Sequence, residues 1–202
     1  MMSEEKTSQD LTWAGLWLGG DSPLRELIAG FAPRQGQIDM AAAVNRGLRQ
    51  EVPLVVEAGT GTGKTLAYLL PAMASGLKTM VSTGTRTLQD QINLKELPLI
   101  REGLAPELKW AVLKGRTNYL CQRRYLGLAA QPDLSLPGAR PGLARLAGWL
   151  EETTSGDLDQ VRGQGLSPAL LAEVTSNSEQ CLGGRCPQRD ECFLMAARRR
   201  AA

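Results

Sequence analysis

The stretch Glu57-Ala58-Gly59-Thr60-Gly61-Thr62-Gly63-Lys64-Thr65 limits this chain more than any other. Pro53-Leu54-Val55-Val56 leads in with the composition of a short strand, and Leu66-Ala67-Tyr68-Leu69-Leu70 leads out with that of a helix. The glycines therefore sit at a strand-to-helix turn, the context in which several backbone N–H groups converge on one anion beside the positive end of a helix dipole. Read this way, residues Ala58 to Thr65 (Ala58, Gly59, Thr60, Gly61, Thr62, Gly63, Lys64 and Thr65) form a phosphate-binding loop. Lys64 would reach the β- and γ-phosphates of ATP, and the Thr65 hydroxyl would ligate Mg²⁺. Ala58 stands where the simplest pattern has glycine, but the Gly63-Lys64-Thr65 end carries the phosphate and metal chemistry. The plainer alternative, a glycine-rich surface turn before an ordinary helix, does not account for the flanking strand and helix together.

The 202 residues suffice for one or two domains with a real core, and 43% hydrophobic content fits a globular chain. The net charge of +2 places any affinity for nucleic acid in local clusters. Residues 1–10 are polar, without the apolar core of a signal peptide, and no run approaches the roughly 18 apolar residues of a membrane span. This points to a cytoplasmic protein with no membrane partner, where cysteines stay reduced. With no histidine in the chain, His-dependent catalysis and metal binding are excluded within these residues.

Trp13 and Trp17, four apart, read as packing groups, and Asp21-Ser22-Pro23 before Leu24, Leu27 and Ile28 reads as a helix start. Phe31 to Gln37 opens a helix with Ile38, Ala41, Ala42 and Leu48 on one face. A glutamine ahead of the first strand of a nucleotide-binding sheet can read the adenine edge with its paired donor and acceptor, although Gln37 on its own reads as a plain surface residue. Beyond the loop, Lys78 to Ser82 predicts a strand, Thr85 to Leu97 a helix ending at Pro98, and Lys109 to Leu113 a third strand. Strands separated by helices predict a parallel sheet, whose ligands gather at the carboxyl ends of the strands. Thr83-Gly84-Thr85-Arg86 lies at that edge, as a second phosphate site or simply a helix cap.

Between Lys109 and Arg145 seven basic residues (Lys109, Lys114, Arg116, Arg123, Arg124, Arg140, Arg145) face one acid, Asp133, with Trp110, Tyr119 and Tyr125 interleaved. Cations for phosphates and flat rings for bases compose a strand-binding surface; a solvated helix face has the same composition. Residues 131–168, rich in Pro and Gly and with acids at Glu151, Glu152, Asp157 and Asp159, read as an inserted, partly helical subdomain.

Cys181, Cys186 and Cys192 share one Gly/Pro-containing loop, and Cys121 stands far upstream. Four thiolates can close a tetrahedral zinc site or hold a cubane iron–sulfur cluster. Structural zinc sites favour pairs two to four residues apart, whereas here no C-x-x-C occurs, which favours the larger cluster; zinc and unligated thiols remain the alternatives.

In order, a Gln-containing lead-in, Glu-Ala-Gly-Thr-Gly-Thr-Gly-Lys-Thr, Ser-Thr-Gly-Thr-Arg-Thr-Leu-Gln-Asp-Gln, Lys-Gly-Arg-Thr-Asn-Tyr-Leu-Cys and the three-cysteine loop resemble the iron–sulfur superfamily 2 DNA helicases, nearest the DinG/YoaA branch and more distantly XPD. The resemblance covers residues 22 to 202. It implies an α/β, RecA-like P-loop NTPase sheet, incomplete here, interrupted by a mainly α-helical Fe–S domain. The implied layout is an N-terminal extension over 1–21, the first part of motor domain 1 over 22–118, the Fe–S domain over 119–195, and the return to the motor domain from 196 to 202. It further implies that Arg34 and Gln37 read adenine, that Thr83, Thr85 and Gln89 touch single-stranded DNA, and that Cys121, Cys181, Cys186 and Cys192 hold a [4Fe-4S] cluster. ATP, Mg²⁺ and the cluster are the implied cofactors. The implied partners are single-stranded or forked DNA and a replication or repair protein, with 5′-to-3′ movement. The family's Asp-Glu-Ala-His box and second motor domain do not occur in these residues, so the resemblance implies the N-terminal fragment of an ATP-dependent helicase, inactive alone. Two other readings carry different expectations: a non-catalytic ATP- or single-strand-binding module, and a small P-loop NTPase with a zinc site.

Overall fold

The computed structural model describes residues 2–131 and 139–202; Asp133 lies outside the described residues. The chain divides into two compact units, residues 1–109 and 110–202. Among the described residues no helix is long and apolar enough to cross a membrane.

The first unit is built on three packed helices. Helix α1 (Met2–Leu18) lies on α3 (Gln35–Gln50), and α3 lies on α4 (Lys64–Ala74). Ala14 and Leu18 of α1, Ala41 and Ala42 of α3, and Leu66, Ala67, Leu69 and Leu70 of α4 fill one core. These are the positions that helical periodicity brings to one face. Trp13 and Trp17 pack at the edge of this core with ring centroids 6.2 Å apart, as packing groups. Asp10 of α1 is fully buried, and it is held by the Asn45 amide at 2.8 Å and the Arg49 guanidinium at 2.9 Å, both on α3. A buried carboxylate needs such partners, so the pair fixes α1 in register on α3. The short helix α2 (Leu24–Leu27) starts at Pro23, where the sequence indicated.

The expected strands do not pair. Residues 52–57, 77–83 and 109–115 run without helix, and among the described residues no sheet forms. Val55 is 96% and Met80 92% exposed. A parallel sheet holds together when elements cover both faces, and here the apolar side chains of these stretches face solvent. The helix expected to end at Pro98 also differs. Helix α5 (Arg86–Gln91) passes through a π-turn (Ile92–Glu96) into α6 (Leu97–Gly103), with Pro98 in the first turn of α6. Proline lacks the N–H that the regular ladder would use, and at the start of a fresh helical segment that donor is not required.

The second unit gathers Leu120, Leu146, Leu158, Val161, Leu170 and Val174 into its own core. Helices α7 (Gln122–Ala129), α8 (Ala139–Glu152) and α9 (Pro168–Val174) surround that core, and α10 (Phe193–Ala201) follows the cysteine loop. Ser167 caps α9 by accepting the Leu170 N–H at 3.1 Å, with Pro168 in the first turn. Gly142 brings α8 so near α9 that a Cβ there would lie 2.3 Å from Leu170 Cδ2.

Candidate phosphate loop and cysteine set

The loop before α4 has the shape its glycines suggest. Gly61 and Gly63 adopt φ of +76° and +81°, a left-handed conformation that costs other residues on the order of 1 kcal/mol. Gly63 is the N-cap of α4, and its carbonyl accepts the Ala67 N–H at 3.2 Å. The α4 N-terminus thus opens directly onto the loop, and an anion there would meet free N–H groups and the positive helix end. The Lys64 Nζ turns back and donates to the carbonyls of Ala58 at 2.7 Å and Gly59 at 2.5 Å. The Thr62 hydroxyl donates to the same Gly59 carbonyl at 3.0 Å. Thr60 is exposed at the loop's crest.

Three contacts here were not legible in the sequence. Gln37 is 6% exposed, and its Nε2 donates to the Gly63 carbonyl at 3.0 Å, so the nearness of α3 to the loop is literal. Arg34, three residues earlier, donates through Nη1 to the Gly61 carbonyl. Tyr68, one helical turn beyond Thr65, lies near enough for the Thr65 side chain to influence its hydroxyl. Burial pushes the Tyr68 hydroxyl above its ordinary pKa; the Thr65 side chain opposes this and the Glu96 charge adds to it. The i, i+3 spacing of Thr65 and Tyr68 was the available signal for this pair.

Thr85 caps α5, accepting the Leu88 N–H on its hydroxyl at 3.3 Å, and the Thr83 hydroxyl donates to the Thr85 carbonyl at 3.2 Å. The Gln89 N–H closes the first turn on that carbonyl at 3.2 Å. The described role of Thr83, Thr85 and Gln89 is thus to start a helix, on an exposed part of the first unit.

Most of the basic and aromatic groups between 110 and 145 hold the second unit together. Tyr119 and Tyr125 are 5% and 9% exposed, which leaves neither ring open to a base. The Tyr119 hydroxyl accepts the Lys114 N–H at 2.9 Å. The Lys114 side chain is 8% exposed, with Nζ 2.7 Å from Asp157 and 3.0 Å from Asp159. Burial pulls the Lys114 pKa down, but the two carboxylates outweigh it and the net shift is upward. Arg124 binds Glu173 at 3.1 Å, and Arg123 donates to the Gln180 carbonyl at 2.9 Å. Asp157 and Asp159, two of the acids grouped with Glu151 and Glu152 in the sequence, are the counter-ions of Lys114.

All four cysteines lie in the second unit, half-buried and outside any disulfide. Cys121 is the N-cap of α7 and Cys192 that of α10. The Arg123 bond to Gln180 ties the Cys121 side of the unit to the residue before Cys181. Among the described residues, no group of three or more Cys, Asp or Glu is arranged to hold a metal ion. The donor set nevertheless fits an iron–sulfur group in kind: four thiols, with the Cys181 Sγ already accepting the Gly183 N–H at 3.5 Å, as cluster sulfurs commonly do.

Residues 38–132 match the family described as DEAD/DEAH box helicase. The chain is 41% identical over 178 residues to the ATP-dependent DNA helicase YoaA of Haemophilus influenzae, which covers 88% of the chain and 28% of the relative. It is 38% identical over 191 residues to the ATP-dependent helicase DinG of Mycobacterium tuberculosis (84% of the chain, 29% of the relative). It is 35% identical over 201 residues to the ATP-dependent DNA helicase DinG of Escherichia coli (87% and 27%). The chain thus spans less than a third of the length of these curated relatives.

Proposed function

We propose, from the premise that this chain is a homologue of the YoaA and DinG helicases and carries a DEAD/DEAH box helicase match, that its first unit binds ATP–Mg²⁺ for a DNA-translocating motor. The observation that carries this is the loop: a left-handed Gly63 capping α4, with the Lys64 ammonium already lying over it. Lys64 would exchange its carbonyl partners for β- and γ-phosphate oxygens, and Thr65 would ligate Mg²⁺. Arg34 and Gln37 would take the purine side. Support for this is their bonding to the loop's own carbonyls, which keeps both in the same site. Thr83, Thr85 and Gln89 are proposed to meet the DNA backbone in a cytoplasmic protein working on single-stranded or forked DNA in repair or replication. Phosphoryl transfer needs a placed metal, a placed water and charge-stabilising groups, and of these the loop would supply a metal ligand and the Lys64 charge. The 202 residues alone are therefore proposed to bind nucleotide without turning it over. Lys64→Ala tests the assignment: a fluorescent ATP analogue should no longer bind while the far-ultraviolet circular dichroism is unchanged. Unaltered affinity would remove the phosphate-loop reading.

Cys121, Cys181, Cys186 and Cys192 are proposed to hold a [4Fe-4S] cluster, which supplies an iron–sulfur core that cross-links distant parts of the unit. Protein purified without oxygen should carry about four iron and four sulfide per chain, one thiolate for each cubane iron, and Cys186→Ser should lose the colour. One stoichiometric zinc in colourless protein would decide for the zinc reading.

A further inference from the structure

Cys181, Cys186 and Cys192 follow one another through a run of local turns: the Cys181 N–H bonds to Asn177, Cys186 to Gly183, Arg189 to Cys186 and Cys192 to Arg189. The neighbours of Cys121 and Cys192 also meet at one point in the packed part of the unit, Gly156. The Leu120 N–H, beside Cys121, donates to the Gly156 carbonyl at 2.9 Å. Phe193, beside Cys192, lies on the Gly156 Cα so closely that a Cβ there would be 2.1 Å from the ring. Tyr119 pairs with Asp157 in an antiparallel bridge, and it packs with Leu194, Ala197 and Cys192.

The junction at residues 156–159 is itself fastened by a buried cation. Lys114 binds both Asp157 and Asp159 through Nζ and holds the Tyr119 hydroxyl through its backbone N–H. Arg162, 38% exposed, also pairs with Asp159 at 2.8 Å. Removing Lys114 alone would take from Asp157 its cation in a mostly buried place, a large local penalty. The contacts then run from Lys114 to Asp157, to Gly156, and on to the neighbours of two cysteines.

We propose that Lys114 is a positioning residue for the cysteine set: through Asp157 and Gly156 it fixes Cys121 and Cys192, the two cysteines whose neighbours touch Gly156. The proposal rests on the cluster reading above, and it separates two ligands whose placement depends on Lys114 from two whose placement does not. Groups that orient metal ligands from behind typically change metal affinity by 10–100-fold when removed.

The test uses the 202-residue chain with Lys114→Met/Asp157→Asn/Asp159→Asn, which removes the buried cation together with both its carboxylates and leaves only the partly exposed Arg162 without its partner, and Lys114→Arg as the conservative variant. In metal-free protein, iodoacetamide labelling read by mass spectrometry should speed up at Cys121 and Cys192 in the triple variant and stay at the wild-type rate at Cys181 and Cys186. After reconstitution with ferrous iron and sulfide, the triple variant should release its cluster to a chelator about tenfold faster or more, and Lys114→Arg should recover most of the retention. Equal labelling changes at all four cysteines, or none, would overturn the proposal. So would faster labelling at Cys121 and Cys192 with unchanged cluster release, since Lys114 would then serve folding alone. If wild-type protein takes up no iron and sulfide, the cluster reading falls, and the metal-free labelling still decides the role of Lys114.

Discussion

Gly156→Ala probes the junction on which the second unit closes, and its cost can be worked out from two separate contributions. The residue sits at φ +63°, and alanine in that conformation costs on the order of 1–2 kcal/mol. The new methyl group would also lie 2.1 and 2.2 Å from Phe193 Cγ and Cδ2 and 2.6 Å from its Cβ. Overlap with the root of a ring is not relieved by bending a flexible tip, and overpacking of this kind costs about 1–3 kcal/mol. Together they give roughly 2–5 kcal/mol. Gly163 supplies the internal reference. It has φ +78° and nothing within 4 Å of its would-be Cβ, so Gly163→Ala carries only the backbone contribution, about 1–2 kcal/mol. For a unit of the size of residues 110–202, each kcal/mol shifts Tm by roughly 4–8 °C. Calorimetric melts should therefore place Gly156→Ala at least about 4–8 °C below Gly163→Ala. Equal melting temperatures for the two variants would show that Phe193 does not press on Gly156, and would remove the link between Cys192 and the rest of the frame.

The remaining predictions are simpler. The Lys114 pKa is raised above the ordinary 10.5 by Asp157 and Asp159, so its stabilising contribution is fully present below pH 10.5 and is lost as pH rises through the folded-state value; the melting temperature of the second unit should fall above that pH, and in the charge-free triple variant the fall should be smaller. Thr85→Ala removes the acceptor for the Leu88 N–H and should cost about 1 kcal/mol in the first unit by urea denaturation; a change under about 0.3 kcal/mol would mean the cap is not formed in solution. With Val55 and Met80 almost fully exposed on extended backbone, the chain should self-associate through these stretches. Val55→Glu/Met80→Glu should shift sedimentation toward the monomer, and an unchanged distribution would refute this.

Local chemistry was legible in the sequence, and long-range partnership was not. The glycine-rich turn and the start of α4 were readable because glycine placement and helix onset are local properties. The tryptophans of α1 read correctly as packing groups from their spacing alone. The sheet did not follow from the apolar runs at 53–56 and 78–82, because a strand exists only through its neighbour, and alternating composition does not say whether one is present. Tyr119 and Tyr125 looked like base-stacking groups, since an interleaved ring has the same composition whether it faces a ligand or a core. Lys114 looked like one more surface cation; its counter-ions lie more than forty residues away, at Asp157 and Asp159. Pro98 read as a terminator because the rule for a helix interior was applied, whereas a π-turn had already restarted the helix there.

The Lys64 ammonium folded onto the Ala58 and Gly59 carbonyls has a kinetic consequence. On the proposed function, Lys64 acts as an internal ligand of the loop, and nucleotide would arrive by exchange: two carbonyl bonds would break as phosphate bonds form. A ligand with a single phosphoryl group would displace only part of that arrangement, while a di- or triphosphate would replace all of it. Discrimination by phosphate number would thereby be built into the proposed site before any base is read. The arrival rate should also lie below the diffusion limit, as it does wherever binding requires a rearrangement.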